Sequence, residues 1–324
     1  MEVILAIDGG GSRTRCLAID RAGRVIGRGE SGPSNHLLVA RETVVSSLGE
    51  AIDGALRRGG VNRSEVVCLS AGMAGVDYDG TGAAEMEAVF RALGFSRLVI
   101  NGDMVIAHAG ALGGHAGALA LAGTGSVVLG IGADGRRVKV GGWGPMYGDE
   151  GSAYRIGQTA LMAAARDYDG RGPQTALLEA MTSALGLSDF RESVSRIYVA
   201  RMEPCEIATL CRAAYETAEA GDEVARTIFL QAGADLAEGV IAALRQLDPA
   251  NENNLVSYQG SVLESCALMR ESLMARLRRQ FPQLSVQPPR ATPVIGAYLL
   301  GCEAIGWSFP VERAWRTEES LMSQ

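Results

Sequence analysis

Short apolar runs take turns with longer stretches whose apolar positions recur every three to four residues, so strands and helices alternate along the chain. Residues 2–8 (EVILAID) are apolar up to a closing aspartate, residues 14–20 (TRCLAID) alternate, and residues 23–30 (GRVIGRGE) follow after a short link. Three strands joined so closely favour an antiparallel meander. Residues 40–58 carry helical spacing through Val44, Leu48, Ile52 and Leu56. VVCLSAG (66–72) reads as a buried strand, 82–93 as a helix and RLVING (97–102) as a strand closing on Asp103.

The pattern then starts again. ALALAGTG (118–125), SVVLGIG (126–132) and RRVKVGG (136–142) read as three more strands, 152–166 as a helix and 173–247 as almost wholly helical. NNLVSYQG (253–260) reads as a late buried strand, 262–280 as a helix, LSVQP (284–288) as a short strand and 294–306 as a final helix. Three meandering strands, a helix, a strand, a helix and a strand thus occur twice, with a helical insertion the second time. Two mixed α/β domains are expected, 1–117 and 118–324, facing each other across a cleft to which each brings a glycine turn. No proline- or serine-rich linker separates them, so the boundary near 114–118 reads as a hinge, and the last helix is free to pack back on the first domain.

Composition narrows the function classes. Of 324 residues 47% are hydrophobic and 21% charged, which suits a core-forming chain. A net charge of −7 argues against a dedicated nucleic-acid binder, because phosphate backbones call for a basic face. The six cysteines (Cys16, Cys68, Cys205, Cys211, Cys266, Cys302) show no CxxC pair and read as reduced thiols rather than a disulfide frame or zinc site. No apolar stretch of spanning length and no signal peptide stand out, so a cytoplasmic protein with no membrane partner is expected. Glycine is the outlier at 42 residues, many clustered at strand ends, where positive φ and close approach to a ligand are both open to it.

Four stretches carry chemistry. Asp8-Gly9-Gly10-Gly11-Ser12-Arg13-Thr14 follows a buried strand, and its consecutive N–H groups, the Ser12 and Thr14 hydroxyls and Arg13 suit a phosphate. A carboxylate there makes sense with a divalent cation between it and the phosphate, commonly Mg²⁺ through water. Alone the stretch reads equally well as a plain hairpin with a capping aspartate. Ala122-Gly123-Thr124-Gly125-Ser126 repeats the arrangement in the second half, and as a pair the two turns point to a polyphosphate held from both sides. Asp103, after Ile100-Asn101-Gly102, stands where a strand gives way to a helix; it fits either a helix cap or a general base for phosphoryl transfer. Gly141-Gly142-Trp143-Gly144-Pro145-Met146-Tyr147-Gly148-Asp149-Glu150-Gly151-Ser152 sets an aromatic face among acids, which suits a sugar ring, the alternative being a capped loop. His36, next to Asn35, reads as exposed and His108 as helical without a partner.

The set DGGGSRT, GPSNH, GMAGVD, INGD, AGTGS, GGWGPMYGDEGSAY and GSV, spread over residues 8 to about 301, resembles the sugar-kinase branch of the BadF/BadG/BcrA/BcrD-type ATPases. It is most similar to the N-acetylglucosamine kinase group within the actin/hexokinase/Hsp70-like superfamily. The resemblance implies an α/β fold of two ribonuclease H-like domains with a central cleft, and ATP and Mg²⁺ as cofactors. It implies Asp8 as the residue organising Mg²⁺, with Gly10, Gly11, Ser12 and Arg13 along the β- and γ-phosphates and Thr124 and Gly125 holding phosphate from the other side. It implies Asp103 as catalytic base toward the 6-hydroxyl of an amino sugar, Asn35, Trp143 and Asp149 as sugar contacts, and Gly260-Ser261 as the adenosine turn. A homodimer is a family expectation. Ser12 replaces the more usual threonine, Met104 stands where alanine is common, and Pro145 where many relatives carry histidine. N-acetylglucosamine is the first expectation for the acceptor, beside glucosamine and N-acetylmuramic acid. An ATPase activator with an iron–sulfur cluster and a sugar-sensing protein are the other readings.

Overall fold

The computed structural model describes residues 1–247 and 255–308 and divides them into two compact units. Residues 253 and 254 of the expected late strand lie outside the described residues.

Among the described residues the first unit comprises Met1–Gly117, Ala133–Arg137 and 288–308. Its sheet holds β1 (Val3–Gly9), β2 (Thr14–Asp20), β3 (Val25–Ser31), β4 (Val66–Met73) and β5 (Leu98–Gly102) in the order β3-β2-β1-β4-β5. The first three strands form the antiparallel meander, in a register that sets Asp8 opposite Arg15 and Gly9 opposite Thr14. β4 and β5 then add in parallel. Both faces of β1 are buried, as its near-continuous apolar run requires. Leu5 and Ile7 pack with Leu48 and Ile52 of α1 (Arg41–Gly59) and Phe90 of α2 (Ala83–Ala92). Ile4 and Ala6 pack on the other side with Ile106 of α3 (Asp103–Leu112) and residues near the chain end such as Ile295 and Tyr298.

The second unit comprises Ala118–Gly132 and Val138–Gln287. Its strands are β6 (Gly117–Ala122), β7 (Ser126–Ile131), β8 (Arg137–Gly141), β9 (Leu255–Gln259) and β10 (Ser285–Gln287), in the order β10-β9-β6-β7-β8. Read from the other edge this is the order of the first sheet, so β6 is the counterpart of β1 and the repeat in the sequence is a repeat in topology. Between β8 and β9 run α4 (Ala153–Tyr168), α5 (Leu177–Ala184), α6 (Pro204–Glu219) and α7 (Glu223–Leu247). The helical run expected over 173–247 is interrupted: a 3₁₀ turn at Phe190–Glu192 and a π-helical turn at Ser195–Val199 precede the capping box of Glu203 and Glu206 that starts α6. α7 is long and apolar enough by length and composition to cross a membrane, contrary to the expectation from sequence. In the fold it is a core helix, its Phe229, Leu236, Val240 and Leu244 buried and its flank set against β7. The helix expected over 262–280 is two, α8 (Ser261–Ser265) and α9 (Ala267–Gln280), because Cys266 between them is extended. The final helix, α10 (Pro293–Ile305), belongs to the first unit, where it packs on α3 and β1.

Candidate active site

In the first unit the chain leaves β1 through Asp8 and turns at once. The Gly10 N–H donates to the Arg13 carbonyl at 2.9 Å, and the Ser34 N–H donates to the Gly10 carbonyl at 3.0 Å. Thr14 is not available to a phosphate: it is fully buried, its hydroxyl donates to the Gly32 carbonyl at 2.8 Å and lies 2.8 Å from Ser34 Oγ. A buried hydroxyl must find partners inside the protein, and here it ties the glycine turn to the 32–35 segment that carries Asn35. Gly11, Ser12 and Arg13 stay exposed. Asn35 is half-buried, and its Oδ1 accepts the Leu37 N–H at 3.0 Å. His36 is not exposed as expected; only 6% of its side chain is accessible, with Nε2 3.9 Å from Glu85.

Asp8 and Asp103 are linked electrostatically. Burial raises the Asp8 carboxyl above its ordinary pKa, the charge of Asp103 raises it further, and Arg15 and Arg13 pull against both. Asp103 is the first residue of α3 and half-buried, with Oδ1 accepting the Met104 N–H at 2.8 Å. The helix cap is Gly102 rather than Asp103. A hard divalent cation fits Asp8 by charge and ligand type, since negative charge held out of water gains from a cation and carboxylate oxygen is the donor Mg²⁺ prefers. Among the described residues no three His, Cys, Asp or Glu side chains cluster closely enough to hold a metal, so phosphate and water oxygens would complete the shell.

In the second unit the turn after β6 is set against the start of α4. The Ala153 N–H donates to the Gly123 carbonyl at 2.9 Å and the Tyr154 N–H to the Thr124 carbonyl at 3.2 Å, so two otherwise unpaired helix-start donors hold the turn. Neither this turn nor the first uses left-handed glycine. Gly123 has no heavy atom within 4 Å of where a Cβ would stand, and Gly11 meets only Leu38 Cδ1, at 3.8 Å. Neither backbone conformation nor internal packing therefore demands glycine at these two positions; open space above the main chain is what they supply.

The loop after β8 is built differently. Gly141, Gly142, Gly144 and Gly151 are left-handed, and so is Asp149 at φ 58°, a conformation that costs a non-glycine residue free energy. The Asp149 side chain is turned inward. It is 7% exposed, its carboxylate lies against Gly125, and Oδ1 stands 3.4 Å from the Ser126 N–H. Ser126 Oγ donates to the Glu150 carbonyl at 2.7 Å, so the loop and the glycine turn are stitched together. Trp143 is 65% exposed and stacks on Tyr147 with ring centroids 6.4 Å apart. Gly260 is left-handed, and a Cβ on it would overlap the Ala122 carbonyl oxygen, so the start of α8 meets the same turn. Ser261 there is exposed and borders a cavity of about 640 Å³ whose other walls include Val262, Ala208, Tyr215 and Phe229. The second unit thus gathers Thr124, Gly125, Asp149, Gly260 and Ser261 around one turn.

The motifs and the repeated sheet are matched by family comparison: residues 5–301 fit the model of the BadF/BadG/BcrA/BcrD ATPase family. The chain belongs to that family. An N-acetylmuramic acid/N-acetylglucosamine kinase of Clostridium acetobutylicum is 29% identical, over 93% of this chain and 98% of its own. An N-acetyl-D-glucosamine kinase of Dictyostelium discoideum is 28% identical, over 92% and 97%. Among solved structures, a candidate N-acetylglucosamine kinase of Chromobacterium violaceum aligns with a TM-score of 0.72 at 27% identity, over 93% of this chain and 98% of that one. The fold is accordingly the doubled ribonuclease H-like fold of the actin/hexokinase type.

Members of the site that sequence reasoning missed are mostly arginines. Arg15 opposes Asp8 across the β1–β2 pair, and strict strand alternation was the one signal for it. Arg155 donates from Nη2 to the Gly148 carbonyl at 2.7 Å, pinning the aromatic loop to α4. Arg137 donates to Asn101 and to the loop after β4, for which the sequence held no sign.

Proposed function

We propose that this protein is an ATP-dependent kinase of an amino sugar, with N-acetylglucosamine as acceptor and its 6-hydroxyl as the group phosphorylated. The observation that carries the reading is the pairing of Asp8 and Asp103: one carboxylate half-buried near the end of β1, the other just past β5 of the same sheet, with the charge of Asp103 felt at Asp8. Two acids with separate environments suit separate tasks. Asp103 takes the proton of the acceptor hydroxyl as that oxygen bonds to the γ-phosphorus and the bond from phosphorus to the ADP oxygen breaks. The N–H groups of Gly11, Ser12 and Arg13, beside the open space at Gly11, and those of Thr124 and Gly125, beside the open space at Gly123, serve as donors to the phosphates, while Gly10, its own N–H taken by the Arg13 carbonyl, shapes the first turn. Mg²⁺, held by Asp8, would neutralise charge on the phosphates when bound. Ser261 borders the cavity that suits the adenosine, and Gly260 precedes it at the turn that opens α8. Asn35, Trp143 and Asp149 serve the sugar, Trp143 by its exposed aromatic face. Asp149, being buried against Gly125, also keeps the sugar loop and the phosphate turn in one arrangement.

An iron–sulfur ATPase is disfavoured by the thiols: among the described residues the cysteines form no metal-holding group. The test is ADP release on N-acetylglucosamine, glucosamine and N-acetylmuramic acid, with the product's phosphate position read by NMR, for wild type and Asp103→Asn. Sugar-dependent ADP release that vanishes in the variant while ATP binding persists is expected. Near-normal turnover by Asp103→Asn would remove Asp103 as the base, and wild-type indifference to all three sugars would remove the kinase reading.

A further inference from the structure

Asn101 lies two residues before Asp103, near the end of β5, and its side chain is held by a residue from far along the chain. Arg137 Nη2 donates to Asn101 Oδ1 at 3.0 Å, while its Nη1 donates to the Tyr78 carbonyl at 2.7 Å. One guanidinium thus fastens the end of β5 to the loop that follows β4. The same two segments touch directly at Gly102, where a Cβ would stand 2.5 Å from the Val76 carbonyl oxygen and 3.2 Å from that of Asp77. The loop is closed on itself, with the Asp77 N–H donating to the Thr81 carbonyl at 2.9 Å and the Gly80 N–H to the Asp77 carbonyl at 3.0 Å. A firm loop therefore backs the strand end that delivers Asp103, and the Arg137 side chain bolts one to the other.

The origin of Arg137 is unusual. It opens β8, a strand of the second sheet, yet the stretch Ala133–Arg137 belongs to the first unit. It is half-buried, and burial lowers its pKa from the ordinary arginine value. Holding a cation partly out of water costs free energy unless its donors are used. A planar fork can serve a carbonyl and an amide oxygen at once, which a lysine ammonium on a flexible stem does less well.

We infer that Arg137 is a positioning residue for phosphoryl transfer, holding the end of β5 through Asn101 and the 76–81 loop through Tyr78 so that Asp103 meets the acceptor hydroxyl in one fixed place. The inference rests on the reading of Asp103 as the base. Reacting groups displaced by about 1 Å lose up to roughly a hundredfold in rate. When Asp103 drifts, the sugar oxygen loses its proton acceptor while the γ-phosphate stays activated. Water then takes a larger share of the transfers.

The experiment compares Arg137→Met, Arg137→Lys, Asn101→Ala and the Arg137→Met/Asn101→Ala double variant with wild type. It measures kcat, both KM values and the ratio of ADP released to sugar phosphate formed. That ratio does not depend on how much of a preparation is folded. For Arg137→Met, kcat is expected to fall about tenfold or more with each KM within about threefold. The ratio should rise above one, and Arg137→Lys should recover only part of the loss. Asn101→Ala should fall less, and the double variant should be no worse than Arg137→Met, as two residues acting through one contact require. Wild-type kcat and ratio in a folded Arg137→Met protein would overturn the inference, as would losses that multiply in the double variant. If Arg137→Met does not fold, Asn101→Ala decides alone, since it removes one hydrogen bond and leaves Arg137 on Tyr78; wild-type kcat and ratio there overturn the inference. If wild type phosphorylates no amino sugar, the kinase reading fails and the role of Arg137 that rests on it falls too; wild-type turnover with an unaltered Arg137→Met overturns the role of Arg137 alone.

Discussion

Gly123 and Gly260 meet at one turn, yet they are glycines for opposite reasons, and this makes a sharp test. Gly123→Ala adds a methyl where no protein atom lies within 4 Å and where φ is not left-handed. Such a change restricts the unfolded chain more than the folded one and stabilises by about 0.4–1 kcal/mol, or roughly 1–3 °C in Tm for a domain of this size. In the phosphate reading the same methyl fills the space a phosphate oxygen must enter to reach the backbone donors. Losing that approach costs about 1.4–2.8 kcal/mol, roughly 10- to 100-fold in ATP affinity. Gly260→Ala is the control: φ 106° and overlap with the Ala122 carbonyl oxygen cost about 2–3 kcal/mol, or roughly 5–10 °C. Thermal melts with and without ATP, together with ADP-coupled kinetics, separate the two effects. Gly123→Ala should melt at or above the wild-type temperature while its ATP-induced shift shrinks and its ATP KM rises. Unaltered ATP affinity in that variant would remove the turn from the phosphate site. A melting loss as large as that of Gly260→Ala would show that packing, not ligand approach, keeps residue 123 a glycine.

Two further outcomes follow from titratable groups held partly or wholly out of water. Burial and Asp103 raise the Asp8 carboxyl while Arg15 and Arg13 oppose them; a raised acid favours folding while protonated, so its contribution is complete below about pH 4 and is lost as pH rises through the folded value. Asp8→Asn should therefore raise the Tm of the ligand-free protein at pH 7 while abolishing sugar-dependent ADP release, and a lowered Tm would contradict this. Buried His108 lies with Nε2 3.0 Å from the Gly117 carbonyl oxygen, and burial pulls its pKa down to about 4. It titrates near 6.5 when unfolded, so stability present above that pH is lost as pH falls toward 4, by about 3 kcal/mol. His108→Gln should flatten the fall of Tm over that window; an unchanged slope would place the acid sensitivity elsewhere.

Much of the fold was legible because its signals are local. Apolar runs buried on both faces mark β1 and β6, the short links after them leave only a meander, and the doubled order of elements announces the doubled sheet. The glycine-hydroxyl turns were legible as turns, but not the reason for their glycines, since φ depends on how the chain is received on either side. Periodicity ran through Cys266 because one extended residue leaves the apolar spacing of its neighbours nearly intact. The stretch from Trp143 to Asp149 shows nothing to say that the aspartate turns inward while the aromatics stay outside; that choice is made by the carboxylate's meeting with Gly125 and Ser126. Arg137 was illegible for the plainest reason. Its partners are 36 and 59 residues away, and long polar side chains on a strand carry no periodic mark of what they reach.

The first unit is not contiguous, and that fact has a bearing on how the protein is made. The face of β1 that carries Ile4 and Ala6 is covered in part by Ile295 and Tyr298 of α10, and the Tyr298 hydroxyl donates to the Asp20 carbonyl at 2.8 Å. A ribosome synthesises β1 before α10, with the whole second unit between them. During that interval the growing chain carries a sheet with an oily side still waiting for its cover, the kind of surface that chaperones hold and that aggregates form on. Birth order therefore lets the second unit emerge before α10 arrives to cover the sheet of the first.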